Sequence, residues 1–148
     1  MTAVEPSVAE VGQAWISGWN LADPEPFANL FDEDGEYYDV SFGVRRRGRA
    51  LIATHHRRWR RAVPDFVMTL VDLHVGAGFV AMETYCTGTF DGDDLADGVM
   101  KATMKPFRGR TAAVLRLSDK NEIVSCHEYY DRALMPGGED TPFGQDGF

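Results

Sequence analysis

Pro64-Asp65 divides this chain into two halves of different periodicity. Upstream, apolar residues recur at the spacing of one face of an α-helix; downstream, four runs are rich in β-branched and aromatic residues. Those runs are Phe66–Val75, Phe79–Phe90, Thr111–Leu117 and Glu122–Asp131. Proline removes a backbone donor and disfavours helix at the residue before it, so the helical half must stop there. The order helix, helix, strand, helix, then four strands points to helices laid on a sheet, an α+β layout. The 148 residues make a single domain over residues 1–148, with loose tails expected at about 1–6 and 136–148.

Ser7 can cap the first helix, with Glu10 three residues later completing a capping box. Val8, Val11, Ala14, Trp15 and Trp19 form its apolar face. Asp23-Pro24 opens a second helix with Phe27, Leu30 and Phe31 buried, and Asp34-Gly35 ends it. Glu36–Phe42 reads as a short strand, in which Asp39 belongs either to an edge turn or to a pocket wall. Gly43 to Gly48 reads as a basic loop. Arg49–Val63 reads as a third helix, with Ile52, His55, Trp59 and Ala62 on one stripe. His56 lies about 100° round from His55. The two are not expected to face inward together, which excludes a two-histidine metal site, and HExxH spacing is absent. His55 beside Trp59 suits a satisfied core residue or a proton carrier.

Side chains alternate along a strand. In the last run Val124, Cys126, Glu128 and Tyr130 share one face; Ile123, Ser125, His127, Tyr129 and Asp131 share the other. The first face is apolar apart from Glu128. A carboxyl group there either finds a cationic partner or has its pKa raised by burial, which makes an acid usable near neutral pH. The strand alone leaves both readings open. His127 and Asp131, on the opposite face, are not expected to carry chemistry; Asp131 is expected to fix the chain exit by pairing with an arginine. Val80, Met82, Thr84 and Cys86 make the apolar face of the second long strand, and His74 is expected beside Asp72 near solvent. Val67, Thr69, Val71, Leu73 and Val75 put an apolar stripe on one side of the first, which predicts a homodimer through the sheet. The acidic segment Asp91–Gly98 lacks calcium-loop spacing. With Met100, Met104 and Phe107 as its adaptable apolar side, it reads as cover for a pocket mouth.

A net charge of −8 argues against a nucleic-acid binder. Arg45 to Arg61 nevertheless carries eight of the fifteen Lys and Arg residues, either as a solvated face or as a rim for an anion. Two cysteines, Cys86 and Cys126, give neither a disulfide framework nor a metal pattern. No apolar run approaches the ~20 residues that span a bilayer. No signal-like segment opens the chain, so no membrane association and a cytoplasmic location are expected.

Trp19-Asn20 with Asp23-Pro24, then Gly48, Ile52, Trp59 and Pro64-Asp65, then Gly88-Thr89, then Ile123-Val124 through Tyr129-Tyr130-Asp131 fall in an order and spacing that resembles one family. It is the SnoaL-like polyketide cyclase group of the NTF2-like superfamily. The resemblance implies an NTF2-like cone, with three N-terminal helices packed on a curved, mostly antiparallel sheet. It places Glu128 where SnoaL-like cyclases and limonene epoxide hydrolase are similar in carrying an acidic catalytic residue. Asp39 resembles the general base of ketosteroid isomerase, and Trp15 falls where that isomerase has its oxyanion tyrosine. The Arg-x-Asp that epoxide hydrolases of this fold carry is replaced by Thr84 and Cys86. The implied activity is acid–base catalysis without cofactor or metal on a small hydrophobic or polycyclic substrate, giving cyclisation, isomerisation or dehydration. Glu128, Asp39 and His55 are then the catalytic candidates, and Trp15, Trp59, Tyr130 and Met104 the substrate-binding ones. The alternative is a non-catalytic ligand-binding or dimeric assembly module, because this fold hosts both.

Overall fold

In the computed structural model, which describes residues 6–135 and 137–145, the helices gather on one face of a single six-stranded sheet. The parts of the expected tails at residues 1–5, 136 and 146–148 lie outside the described residues. The helices are α1 (Val8–Trp19), α2 (Glu25–Ala28) and α3 (Arg49–Ala62). The strands are β1 (Phe31–Asp39), β2 (Val44–Arg47), β3 (Val67–Gly76), β4 (Phe79–Thr89), β5 (Pro106–Leu117) and β6 (Ile123–Tyr129). Their order across the sheet is β2-β1-β6-β5-β4-β3. Only β1 and β6 run parallel; every other neighbouring pair is antiparallel. This is the α+β cone expected from the resemblance.

Local chemistry sets the joints. Ser7 Oγ accepts from the Glu10 amide at 3.2 Å and starts α1. The Asn20 side chain exchanges two 2.8 Å hydrogen bonds with the backbone of Met68, tying the end of α1 to β3. Gly48, at φ +87°, occupies a conformation that favours glycine and turns the chain from β2 into α3. Asp65 accepts from the amide and hydroxyl of Thr89 at 2.7 and 2.9 Å, locking the exit of α3 to the end of β4.

Five local expectations are corrected. The second helix is one turn, and the chain is already extended at Phe31, because Phe31 pairs with Ile123 of β6. The basic loop is strand β2: Val44 is buried, while Arg45 and Arg47 point outward at the sheet edge, where charge discourages further pairing. Irregular registers shift two faces. Leu117 pairs with Ile123 but Arg116 pairs with Ser125, so Ile123 is buried and Val124 is exposed. A similar shift between Leu70 and Asp72 turns Leu73 toward the core and divides the expected valine stripe. Finally, His55 and His56 are both buried, because α3 is covered on two sides. His55 faces Tyr37 of the sheet, while His56 stacks on Trp19 and binds the Gly18 carbonyl at 2.7 Å. A carbonyl only accepts, so His56 Nε2 carries the proton, and burial pushes its pKa down.

Within the expected C-terminal tail, residues 137–145 make contacts with the rest of the domain. Gly138 and Thr141 are buried, the Arg132 guanidinium donates to both their carbonyls, and the Gly144 amide donates to Phe42 O. Among the described residues no helix is long and apolar enough to cross a membrane.

Trp15, Trp19, Phe27, Phe31, Tyr37 and His56 form an aromatic cluster between the helices and β1. Phe27 is fully buried at its centre. Phe27→Ala should cost about 3–5 kcal/mol of unfolding free energy. Urea denaturation will measure this; a loss below about 1 kcal/mol would mean the cluster closes over the missing ring.

Candidate active site

Asp39 closes β1 and Glu128 lies near the end of β6, and the parallel ladder sets their Cα atoms directly opposite each other. Both are buried. They line a cavity of about 60 Å³ between α3 and the sheet. Its other walls are Trp19, Phe42, His55, Trp59, Phe66, Met68, Cys86, Phe107, Thr111, Tyr130, Leu134 and Met135. No Lys or Arg is among these walls.

Each carboxyl group has a tyrosine. The Tyr37 hydroxyl donates to Glu128 Oε1 at 2.6 Å, and the Tyr130 hydroxyl donates to Asp39 Oδ2 at 2.6 Å. Asp39 Oδ1 also accepts the Phe42 amide at 3.0 Å. Ser41 holds this corner shut: its hydroxyl donates to Tyr130 O at 2.5 Å and accepts the Tyr130 amide at 2.9 Å.

These partners separate the two acids. Burial raises Asp39 to about 6, against the lowering effect of the Tyr130 hydroxyl and the backbone donors. Burial and then the neighbouring Asp39 charge raise Glu128 to about 8, opposed only by Tyr37. Near neutral pH the pair therefore holds one charge, on Asp39, and one acid proton, on Glu128. Because Glu128 Oε1 accepts from Tyr37, Oε2 is the oxygen left to carry that proton. Burial raises both tyrosines as well, so each remains a hydroxyl donor. Burial pushes the Cys86 thiol up to about 12 and Cys126 higher than usual, so neither is a thiolate.

The expected candidates divide. Glu128, Asp39, His55, Trp59 and Tyr130 all line the cavity. Trp15 does not; it is fully buried in the aromatic cluster against Trp19 and Phe27. Met104 does not either: it is 67% exposed, at a positive φ in the loop after Met100. Met100 is buried away from the cavity, and Phe107 is a cavity wall. Sequence spacing alone does not mark Tyr37 as a site residue. It lies two residues before Asp39 on the same strand, and the alternation of β1 could have placed it on the inner face. His127 packs on Tyr38 on the other side of the sheet. Asp131 fixes the chain exit by accepting the Ala133 amide rather than by pairing with an arginine.

Three arginines of the basic cluster make structural contacts. Arg45 pairs with Glu36 at 2.5 Å and stacks on Tyr38, Arg49 pairs with Glu122 at 3.0 Å, and Arg60 donates to the Phe66 carbonyl. On the outer face of the sheet, exposed His74 is raised by its hydrogen bond to Glu83 and by Asp72. The ligand atoms of these three residues lie within 4.8 Å of one another.

The sequence profile of the SnoaL-like polyketide cyclase family matches residues 9–135, and the chain belongs to that family. Solved structures share the fold. A protein of ketosteroid isomerase-like fold from Catenulispora acidiphila, in complex with trimethylamine, is 24% identical, with a TM-score of 0.75 over 92% of this chain and 96% of its own. An NTF2-like protein from Burkholderia thailandensis is 18% identical, with a TM-score of 0.74 over 90% and 98%. An LEH-like epoxide hydrolase from M. tuberculosis is 19% identical, with a TM-score of 0.65 over 87% and 86%. Among curated protein sequences, none matches this chain.

Both raised acids bind protons more tightly in the folded state than in the unfolded chain. Their stabilising effect is complete below the ordinary values of 3.8 and 4.5, and it is lost as pH rises through about 6 for Asp39 and about 8 for Glu128. Glu128→Gln can still accept the Tyr37 hydroxyl but does not titrate. Urea midpoints from about pH 4 to about pH 9 should fall for the wild type and fall distinctly less for the variant. Equal slopes would show that Glu128 ionises freely in the folded protein.

Proposed function

We propose that the protein is a cofactor-independent acid–base enzyme acting on a small, compact, apolar substrate with an enolisable carbonyl. The observation that carries this reading is the pairing of Asp39 and Glu128 across one apolar cavity, with environments that push their pKa values apart. Asp39, ionised near neutral pH, takes a proton from carbon next to the carbonyl. Glu128 donates its proton to the developing oxyanion, and Tyr37 steadies the carboxylate that remains. The outcome is isomerisation, or cyclisation or dehydration where the substrate carries the matching acceptor or leaving group. His55, on the cavity wall 4.8 Å from the Tyr37 ring, is placed to relay protons.

Size narrows the substrate. A water-sized position takes roughly 10–15 Å³ of such a cavity. About 60 Å³ therefore holds on the order of four to six heavy atoms. A polycyclic substrate needs Leu134 and Met135 to move.

Solvent deuterium should enter small cyclic ketones faster in the presence of the protein, as followed by NMR. Glu128→Gln and Asp39→Asn should each lower that rate by about 10²-fold or more. Exchange that survives both substitutions would favour the binding-module reading.

We also propose that the chain pairs with a second copy through the outer face of its sheet, where Val67, Val71 and Tyr129 are exposed. Sedimentation should give a dimer at micromolar concentration, and Val67→Glu with Val71→Glu should give a monomer. A wild-type monomer would remove this part of the proposal.

A further inference from the structure

On the outer face of the sheet, away from the cavity, the side chains of Asp72, His74 and Glu83 converge. Asp72 and His74 stand two residues apart on β3, and Glu83 is the partner of Asp72 on β4. The irregular register of β3 brings them together. Leu70 pairs with Thr84 and Asp72 with Glu83, so Val71 has no partner on β4. Strict alternation from buried Met68 through Leu70 would have turned Asp72 toward the core. The extra residue sends Leu73 inward instead and aims Asp72 and His74 outward, beside Glu83.

The donor atoms are spaced as in a coordination shell. His74 Nε2 lies 3.1 Å from Glu83 Oε2 and 3.6 Å from Asp72 Oδ2, and the three atoms lie within 4.8 Å of one another. Ligand atoms about 2.0–2.2 Å from a tetrahedral ion are about 3.3–3.6 Å apart. The Leu73 amide donates to Asp72 Oδ1 at 2.9 Å, which orients the carboxylate and leaves Oδ2 for His74. The charge is unbalanced as well. Among the described residues no Lys or Arg pairs with Asp72 or Glu83, and one imidazole serves both carboxylates. A protonated imidazole offsets one of those charges, whereas a divalent ion offsets both. An all-oxygen set would suit calcium or magnesium; the imidazole nitrogen selects a first-row transition metal.

We infer that Asp72, His74 and Glu83 form a binding site for a divalent transition-metal ion of the zinc type, which clips the edge strand β3 to β4 at its irregular register. The three protein ligands leave the remaining positions to water. All three sit on paired strands, whose backbone ladder fixes their spacing. The ligands are assembled only when β3 and β4 are paired, so the ion stabilises the folded sheet by mass action. None of the three residues lines the cavity, and the inference is independent of the acid–base reading.

Chelator-treated full-length protein is titrated with zinc by calorimetry, with magnesium and calcium as controls. One zinc per chain should bind, at least about tenfold more tightly than either control. His74→Ala should weaken zinc binding about tenfold or more, and so should Glu83→Gln and Asp72→Asn, which keep the side-chain shape. Zinc should raise the thermal midpoint of the wild type and leave that of His74→Ala in place. In the wild type alone, zinc should shift the imidazole resonances of exposed His74 and not those of buried His55 and His56, so the answer does not hang on how a variant folds. No binding at millimolar zinc, equal affinity for magnesium, or zinc binding that His74→Ala leaves unchanged would overturn the inference.

Discussion

The parallel pairing of β1 with β6 is the constraint on which the site depends. It joins the strand between the second and third helices to the last strand of the chain, and no other pairing in the sheet is parallel. A parallel neighbour repeats its partner's direction, so Asp39 and Glu128 come opposite each other on the same inner face. Tyr37 and Cys126 come opposite each other two residues earlier, on that same face. The spacing of the acids is thus fixed by a backbone ladder and not by loops. That is how a weak, costly arrangement of two buried acids is held in one geometry.

Such an arrangement opposes folding above the ordinary carboxylate range, and something else must offset it. The offset lies on the other side of Tyr37. The aromatic cluster of Trp15, Trp19, Phe27, Phe31 and His56 buries its rings behind the strand that carries Asp39. Fully burying one large apolar side chain stabilises by about 1.5–3 kcal/mol. Several together outweigh one titrating pair. Tyr37 belongs to both sets: its ring is packed in the cluster and its hydroxyl ends on Glu128. The packing of the helices therefore orients the acid as well as stabilising the sheet.

The order of elements and the inner position of Glu128 were legible in the sequence because they rest on period alone. The break at Pro64, the helical stripe of α3 and the alternation Cys126, Glu128, Tyr130 need only local spacing. The misreadings arise where pairing overrides period. Val124 and Leu73 changed face because a strand gained a residue relative to its neighbour, which only the partner's register reveals. Val44–Arg47 was hidden as a strand by its arginines, since charge is uncommon in strands except at exposed edges. His56 was hidden because a sequence stripe marks one buried face, and α3 is buried on two. The hydrogen bonds of Tyr37 and Tyr130 join residues 91 apart, a distance over which spacing carries no information.

The paired acids and the residues that close the cavity sit on different parts of the molecule. Asp39 and Glu128 belong to the sheet, whereas Leu134 and Met135 close the cavity from the segment that follows β6. That segment turns at Asp131, whose side chain accepts the Ala133 amide, and Arg132 staples it to residues 138 and 141. Phe42 connects the two parts. Its amide binds Asp39, its ring supports Arg132, and its carbonyl accepts the Gly144 amide at 2.6 Å. A change in the closing segment can alter how large a molecule enters without altering the ladder that positions the acids. A change in the ladder cannot leave the acids in register. Under the proposed function, substrate range would be set by a short segment held by a few hydrogen bonds, and reaction type by the strand pairing beneath it.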